Sequence, residues 1–440
     1  MSIETNTPVE GVHKNNFKNP IKVARSYLQK LGPGIITGAA DDDPSGIATY
    51  SQTGAKYGFQ LLWISLFSFP FMALTQEMCA RIGMVTGEGL AANIRHHYPK
   101  YVLYICTSLL FIANTFNLGA DLGAMAAAVQ LIAPTAPFGL LVLFFATLTL
   151  ILQVFTTYEQ YAKYLKYLTV VLFAYMFTAL IADVDWGTVL KSTLIPKISF
   201  EKEQFLLICA ILGTTISPYL FFWQTSQEVE EEISLGRDTV EKRQIETSDK
   251  EIHDMRVDVW SGMFVSNFAM FFIITTCAAT LFTNGITNIS TADQAAIALR
   301  PLAGDYAYFL FAIGIIGVGL LGIPILAGSA AYAISESFDW KFGLYRKLKE
   351  AYAFYGVIAL STFIGLLMNF IGIDPIKALI YSAVANGLVA PIMIYFIVRI
   401  SSNKDIMGTF VNSKYVTIMG WLTVFLMSLA GVAVIVTSFL

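Results

Sequence analysis

The feature that most constrains this chain is its division into eleven long apolar segments. They lie at 31–57, 61–81, 101–133, 138–155, 167–181, 205–224, 259–282, 306–335, 353–373, 376–398 and 416–440. A helix of roughly 20 apolar residues spans the hydrocarbon core of a bilayer. Lipid offers no partner to backbone amides, so a segment of this length crosses it as a helix. The expectation is an all-α integral membrane protein. Composition agrees: 56% of residues are hydrophobic and 13% charged, about half the charge of an ordinary soluble domain. A formal net charge of -3 excludes both a disordered chain and a nucleic-acid binder. Cys79, Cys106, Cys209 and Cys277 are scattered through apolar runs, so neither a disulfide scaffold nor a thiolate metal cluster is expected.

Charge distribution orients the spans. With the N-terminus in the cytoplasm, 22 of the 28 lysines and arginines fall in inside segments. That is the bias inserted proteins show. Eleven spans then place Leu440 outside. The first 25 residues are polar and no cleavable signal peptide is expected. The expected organisation is a tail at 1–24, a core at 25–400 and a linker with the eleventh span at 401–440. The core divides into halves near 25–182 and 205–400. The stretch from Glu228 to Asp258, with its acidic run, reads as a solvated cytoplasmic helix and loop.

Two segments are interrupted. The first contains Asp41-Asp42-Asp43-Pro44-Ser45-Gly46. One charge at the centre of a lipid-facing helix costs roughly 2.5–3.5 kcal/mol on insertion scales, and here there are three. Proline removes a donor and glycine frees the backbone, so the helix is predicted to unwind there and line a site. The sixth repeats the pattern in Gly213-Thr214-Thr215-Ile216-Ser217-Pro218-Tyr219. Segments one and six are corresponding positions of two five-span halves. Paired broken helices point to an inverted-repeat transporter with a midplane site.

The stretch GPGIITGAADDDPSGIATYSQTGAKYGFQLLW resembles the first span of the Nramp family of divalent-metal transporters. TQEMCARIGMVTGEGLA resembles that family's second span and following loop. The resemblance implies a LeuT-like fold of two five-helix halves plus an eleventh helix, with helices 1 and 6 unwound, and alternating access around a central metal. The family's Asp-Pro-Gly-Asn reads here Asp43-Pro44-Ser45-Gly46, and its Met-Pro-His reads Ser217-Pro218-Tyr219, with Thr214 at the carbonyl-donating position. Asp121 keeps the family's third-span acid. Ala124 stands where a glutamate is usual, and the ninth span lacks an interior arginine.

These departures suggest a hard cation. Losing the methionine sulfur leaves Asp43, Thr214, Ser217 and Asp42 as oxygen donors, a set that suits Mg²⁺ with retained water and remains compatible with Mn²⁺. Gly46, Tyr219, Asp41, Asp121, Asn386 and Glu77 are candidates for supporting or gating roles. A tyrosine is a poor proton carrier at neutral pH, so weak or absent proton coupling is expected. Two inward charges gain about 4.6 kcal/mol per 100 mV, which could drive uptake. The rival readings are a conventional proton-coupled Mn²⁺/Fe²⁺ symporter, a sodium-coupled small-solute carrier and a non-transporting metal sensor. No nucleophile–base pair or nucleotide motif emerges, so no enzyme and no resident cofactor are expected. The expected partners are the metal ion and the lipid of a plasma or inner membrane, with a monomeric functional unit.

Overall fold

The computed structural model describes residues 32–156 and 172–439. The N-terminal tail and the start of the fifth apolar segment lie outside these. The principal helices are α1 (Pro33–Asp41), α2 (Pro44–Tyr57), α3 (Trp63–Thr86), α4 (Leu90–His97), α5 (Lys100–Ile132), α6 (Phe138–Phe155), α7 (Phe173–Ile181) and α8 (Trp186–Leu194). They continue with α9 (Lys202–Thr215), α10 (Pro218–Ser234), α11 (Val240–Glu246), α12 (Asp249–Thr280), α13 (Ala307–Ser337), α14 (Tyr352–Met368), α15 (Pro375–Ser401) and α16 (Lys414–Phe439).

Seven helical stretches among the described residues are long and apolar enough to cross a membrane. The other four sequence segments depart for identifiable reasons. The first is cut into α1 and α2. The second, α3, carries Gln76, Glu77 and Arg81. The fifth starts outside the described residues, and α14 is a shorter apolar helix of 17 residues. Exposed leucines, isoleucines and phenylalanines on α6, α14 and α16 are the side chains a bilayer would solvate.

Asp41 ends α1, and Asp43 begins α2 as its N-cap, with Pro44 in the first turn. Proline is favoured at that position because the missing N–H would be unpaired anyway. Thr215 ends α9, and Ser217-Pro218 starts α10 in the same manner. Both halves of the first segment lie on α12. A β-carbon at Gly38 would overlap the backbone of Gly262, and one at Gly54 would overlap Ile274. The remaining scaffold pairs α5 with α13, where Asn114 Nδ2 donates to Leu326 O at 3.0 Å and Ser329 Oγ at 2.7 Å. It also pairs α9 with α15 at Gly213 and Gly387.

The acidic stretch after residue 228 corrects the sequence reading. Helix is found there as expected, but several of its acids are not solvated. α10 runs on to Ser234, and α12 starts at Asp249 through a capping box between Ser248 and Glu251. Glu228, Glu232 and Asp258 are buried. Gln224 on the same helix partners Glu228, nearby Arg237 partners Glu232, and the distant amides of Gly34 and Ile35 partner Asp258.

Candidate functional site

The two breaks are brought together by buried side chains. Asp43 Oδ1 accepts from Gly46 N at 2.8 Å and Ser45 Oγ at 2.6 Å. Its Oδ2 accepts from Asn117 Nδ2 of α5 at 2.7 Å and from the Tyr219 hydroxyl of α10 at 3.5 Å. Tyr219 also reaches Ala40 O at 3.4 Å, so one phenol links both sides of the first break to the start of α10. Ser382 of α15 donates to Asn117 Oδ1 at 2.5 Å. Asp121 is buried beside Gly322 of α13, where an added β-carbon would stand 3.9 Å from Asp121 Oδ2 and 3.2 Å from Asp43 Cβ. Neither Asp121 oxygen has a hydrogen-bond partner among the described residues.

At the second break the Ser217 hydroxyl donates back to Gly213 O at 2.7 Å and Thr214 O at 2.5 Å. Its lone pairs, not its proton, are therefore what it can offer an ion. The Thr214 hydroxyl meets Tyr50 OH at 3.0 Å. The Tyr50 ring packs where a β-carbon at Gly46 would stand, 3.3 Å from Cε2. Tyr50 is fully buried, so it is not an interface anchor. It joins α2 to α9 across the site. Gly46 leaves this space to the Tyr50 ring, and its N–H donates to Asp43, the N-cap of α2.

Asp41 and Asp42 do not join this group. The Ser266 hydroxyl of α12 donates to Asp41 Oδ2 at 2.5 Å and lies 3.4 Å from Asp42 Oδ1. Asp42 lines a cavity otherwise apolar, with Phe173, Met176, Phe268 and Phe272. Asn386 of α15 is buried one turn from Ser382, and both its amide atoms lack partners among the described residues. Glu77 lies elsewhere, accepting from Arg256 Nε at 2.9 Å and Trp260 Nε1 at 2.8 Å, with Arg81 at 3.6 Å. This ties α3 to α12. Removing one partner of such a buried pair strands the other charge. Glu77→Ala is therefore expected to cost about 3 kcal/mol and to lower the melting temperature by several degrees while sparing metal affinity. A retained melting temperature or a lost metal affinity would show that Glu77 has another role.

Sequence reasoning gave Asn117 no more weight than Asn114 and passed over Ser266 and Ser382. Asn117 stands four residues before Asp121 on one helix face, and Ser266 four after Gly262, the closest approach to α1. Those spacings carried the signal. Among the described residues no three His, Cys, Asp or Glu side chains converge tightly enough to chelate a metal. Asp41, Asp42 and Asp43 all lie at the first break, but Asp43 is the one bonded to Asn117 and Tyr219, with Asp121 behind it.

This arrangement has relatives. Over 399 residues the chain is 26% identical to the divalent metal cation transporter MntH of Klebsiella pneumoniae, covering 90% of this chain and 91% of that one. The Pectobacterium carotovorum protein of the same description is also 26% identical, over 401 residues, 91% of this chain and 92% of that one. The crystal structure of the Eremococcus coleocola manganese transporter, in complex with an aromatic bis-isothiourea compound, superposes with a TM-score of 0.74 at 19% identity. It covers 94% of this chain and 88% of its own. Mhp1, a nucleobase-cation-symport-1 family transporter, superposes at 0.56 with 16% identity, covering 92% of this chain and 91% of its own. The fold is thus an all-α, multi-span membrane fold of the LeuT-related kind. Residues 34–437 match the natural resistance-associated macrophage protein-like model, and the chain belongs to the Nramp family.

Proposed function

We propose that the chain carries a hard divalent cation, Mg²⁺ or Mn²⁺, across a membrane by alternating access, with weak or no proton coupling. The observation that carries this reading is the donor set at the two breaks: Asp43, the Thr214 carbonyl and the Ser217 hydroxyl, with Ser217 and Tyr219 at the positions where the family's pattern has methionine and histidine. Oxygen donors suit Mg²⁺, a hard cation that takes carboxylate, carbonyl and hydroxyl ligands. Membership of a metal-transporter family and relatives described as divalent metal cation transporters support it. In this reading α1/α2 and α9/α10 are the unwound first and sixth helices of a 5+5+1 arrangement. The core runs over 25–400, with the N-terminus in the cytoplasm and the C-terminus outside. Asp41 and Asp42 anchor α1 on α12, and Asp43 meets the ion.

The test is flux into proteoliposomes with Mg²⁺ and Mn²⁺ at matched concentration, with internal pH read in parallel. Mg²⁺ flux without proton entry is expected. Mn²⁺-only flux with proton entry would favour the coupled symporter instead, a reading to which the unpartnered Asp121 lends its one support. Substituting Ser217 probes the donor chemistry directly. A thioether favours softer metals, so Ser217→Met should raise Cd²⁺ affinity about tenfold, ~1.4 kcal/mol, and lower Mg²⁺ flux. Competition of Cd²⁺ against Mn²⁺ uptake reads it. Unchanged competition would place Ser217 away from the ion.

A further inference from the structure

Beyond the second break, α10 presents a polar stripe: Ser217, Gln224, Glu228 and Glu231, spaced by seven, four and three residues. Those spacings fall on one helix face. α12 brings Asp258 alongside. Glu228 is within electrostatic reach of Glu231 and Asp258. A β-carbon at Gly32 would stand 3.2 Å from Glu231 Oε2 and 3.5 Å from Asp258 Oδ2, so those oxygens are less than ~7 Å apart. Glu228 and Asp258 are buried, and Glu231 is exposed at the mouth.

Like charges gathered this way need compensation. Glu232, next in sequence, has Arg237. Among the described residues no lysine, arginine or histidine forms an ion pair with Glu228, Glu231 or Asp258. Gln224 adds an independent observation. Its Nε2 donates to Glu228 Oε1 at 2.7 Å, while its fully buried Oε1 has no partner. A free carboxamide oxygen fixed beside a carboxylate is a ligand for a hard cation, not for an anion. The acids do not converge tightly enough to chelate a bare ion, so an ion here keeps most of its water, as Mg²⁺ usually does.

We propose that Gln224, Glu228, Glu231 and Asp258 form an exit site for a hydrated divalent cation, between the central site and the cytoplasm; this rests on the transport reading above. Asp258 also holds the N-terminus of α1, accepting from Gly34 N at 2.6 Å and Ile35 N at 3.1 Å. An arriving ion competes with those two amides for the carboxylate. Arrival thereby loosens α1 from α12 at the end where the ion must leave.

The test counts Mn²⁺ sites on the purified full-length protein from the paramagnetic resonance of free Mn²⁺. The wild type should show a tighter and a weaker site. Asp43→Asn should lose the tighter and keep the weaker. Glu228→Gln with Glu231→Gln should keep the tighter and weaken the other at least tenfold. If Asp43→Asn leaves no site, or the double variant keeps both, the exit site is overturned while the central reading stands. If Asp43→Asn keeps both and the double variant loses one, the central reading fails and the exit site survives. Should the double variant misfold, Glu231→Gln alone, at an exposed position, should still weaken the second site severalfold, and no change there overturns the proposal.

Discussion

Asp43→Asn is expected to abolish metal transport while leaving the fold in place. The prediction separates two jobs of one side chain. As the N-cap of α2, Asp43 holds Gly46 N and Ser45 Oγ through Oδ1. Asparagine caps as well as aspartate, so that function survives. At Oδ2 the new amide would meet Asn117 Nδ2, donor against donor, until one amide turns. The stability cost should stay near ~1 kcal/mol. The charge, however, is gone, and it is the one carboxylate directly between the breaks. Exchanging an anion for a neutral carbonyl beside a dication should lower uptake at least ~100-fold, about 2.7 kcal/mol. Asp43→Ala should lose transport equally and also lose about 1 kcal/mol of capping. Melting temperature and initial uptake rate, measured on both variants, decide it. Uptake by Asp43→Asn within threefold of wild type would reduce Asp43 to a helix cap.

How much of this was legible in the sequence depended on whether the signal was local. The breaks were legible, because Asp-Pro-Ser-Gly and Ser-Pro write their own caps and interruptions. Among the described residues, seven of the eleven expected spans were legible from apolar length. A helix was legible in the charged continuation of α10 and α12, but the burial of its acids was not, because a charged run reads as solvated. A capping box at Ser248 starts α12, and burial rests on partners more than 200 residues away, as with Asp258 and Gly34. Of the three consecutive aspartates, the family pattern singles out Asp43, but nothing local separates Asp42 from Asp41. The three diverge because helix ends turn successive side chains outward in different directions, Asp41 and Asp42 toward Ser266 and Asp43 toward Asn117. Nothing beside Tyr50 in the sequence marks it as a residue of the site. Its burial follows from Thr214 on another helix, which no local pattern reveals.

Gly262→Val should be the most damaging single substitution outside the site, and it tests how α1 is held. A β-carbon at Gly262 would overlap the backbone of Gly34 and Ile35, and one at Gly38 would overlap Gly262 itself. Backbone cannot yield as a flexible side chain can, so α1 must move away as a unit. Moving it breaks the Asp258 contacts to Gly34 N and Ile35 N and pulls Asp41 from Ser266. Overpacking alone costs about 1–3 kcal/mol; stranding the buried Asp258 and Asp41 adds about 1–3 kcal/mol each. Against a total stability of about 5–15 kcal/mol, Gly262→Val should yield little folded protein. Gly262→Ala carries the same overlapping β-carbon without the two methyls beyond it, so it too should lower the melting temperature strongly, with α1 displaced the less of the two. In the proposed transport cycle α1 also comes away from α12 when the ion leaves toward the cytoplasm, so Gly262→Ala should expose that side: Thr37→Cys, a near-isosteric change at a buried α1 position, should react faster with a membrane-impermeant thiol reagent in the Gly262→Ala background than in an otherwise wild-type chain. Gly356→Ala is the control, since an added methyl there meets nothing within 4 Å, and it should be neutral. Normal yield and stability of Gly262→Val would show that the glycine contact does not hold α1, and that the Asp258 clamp alone sets its position.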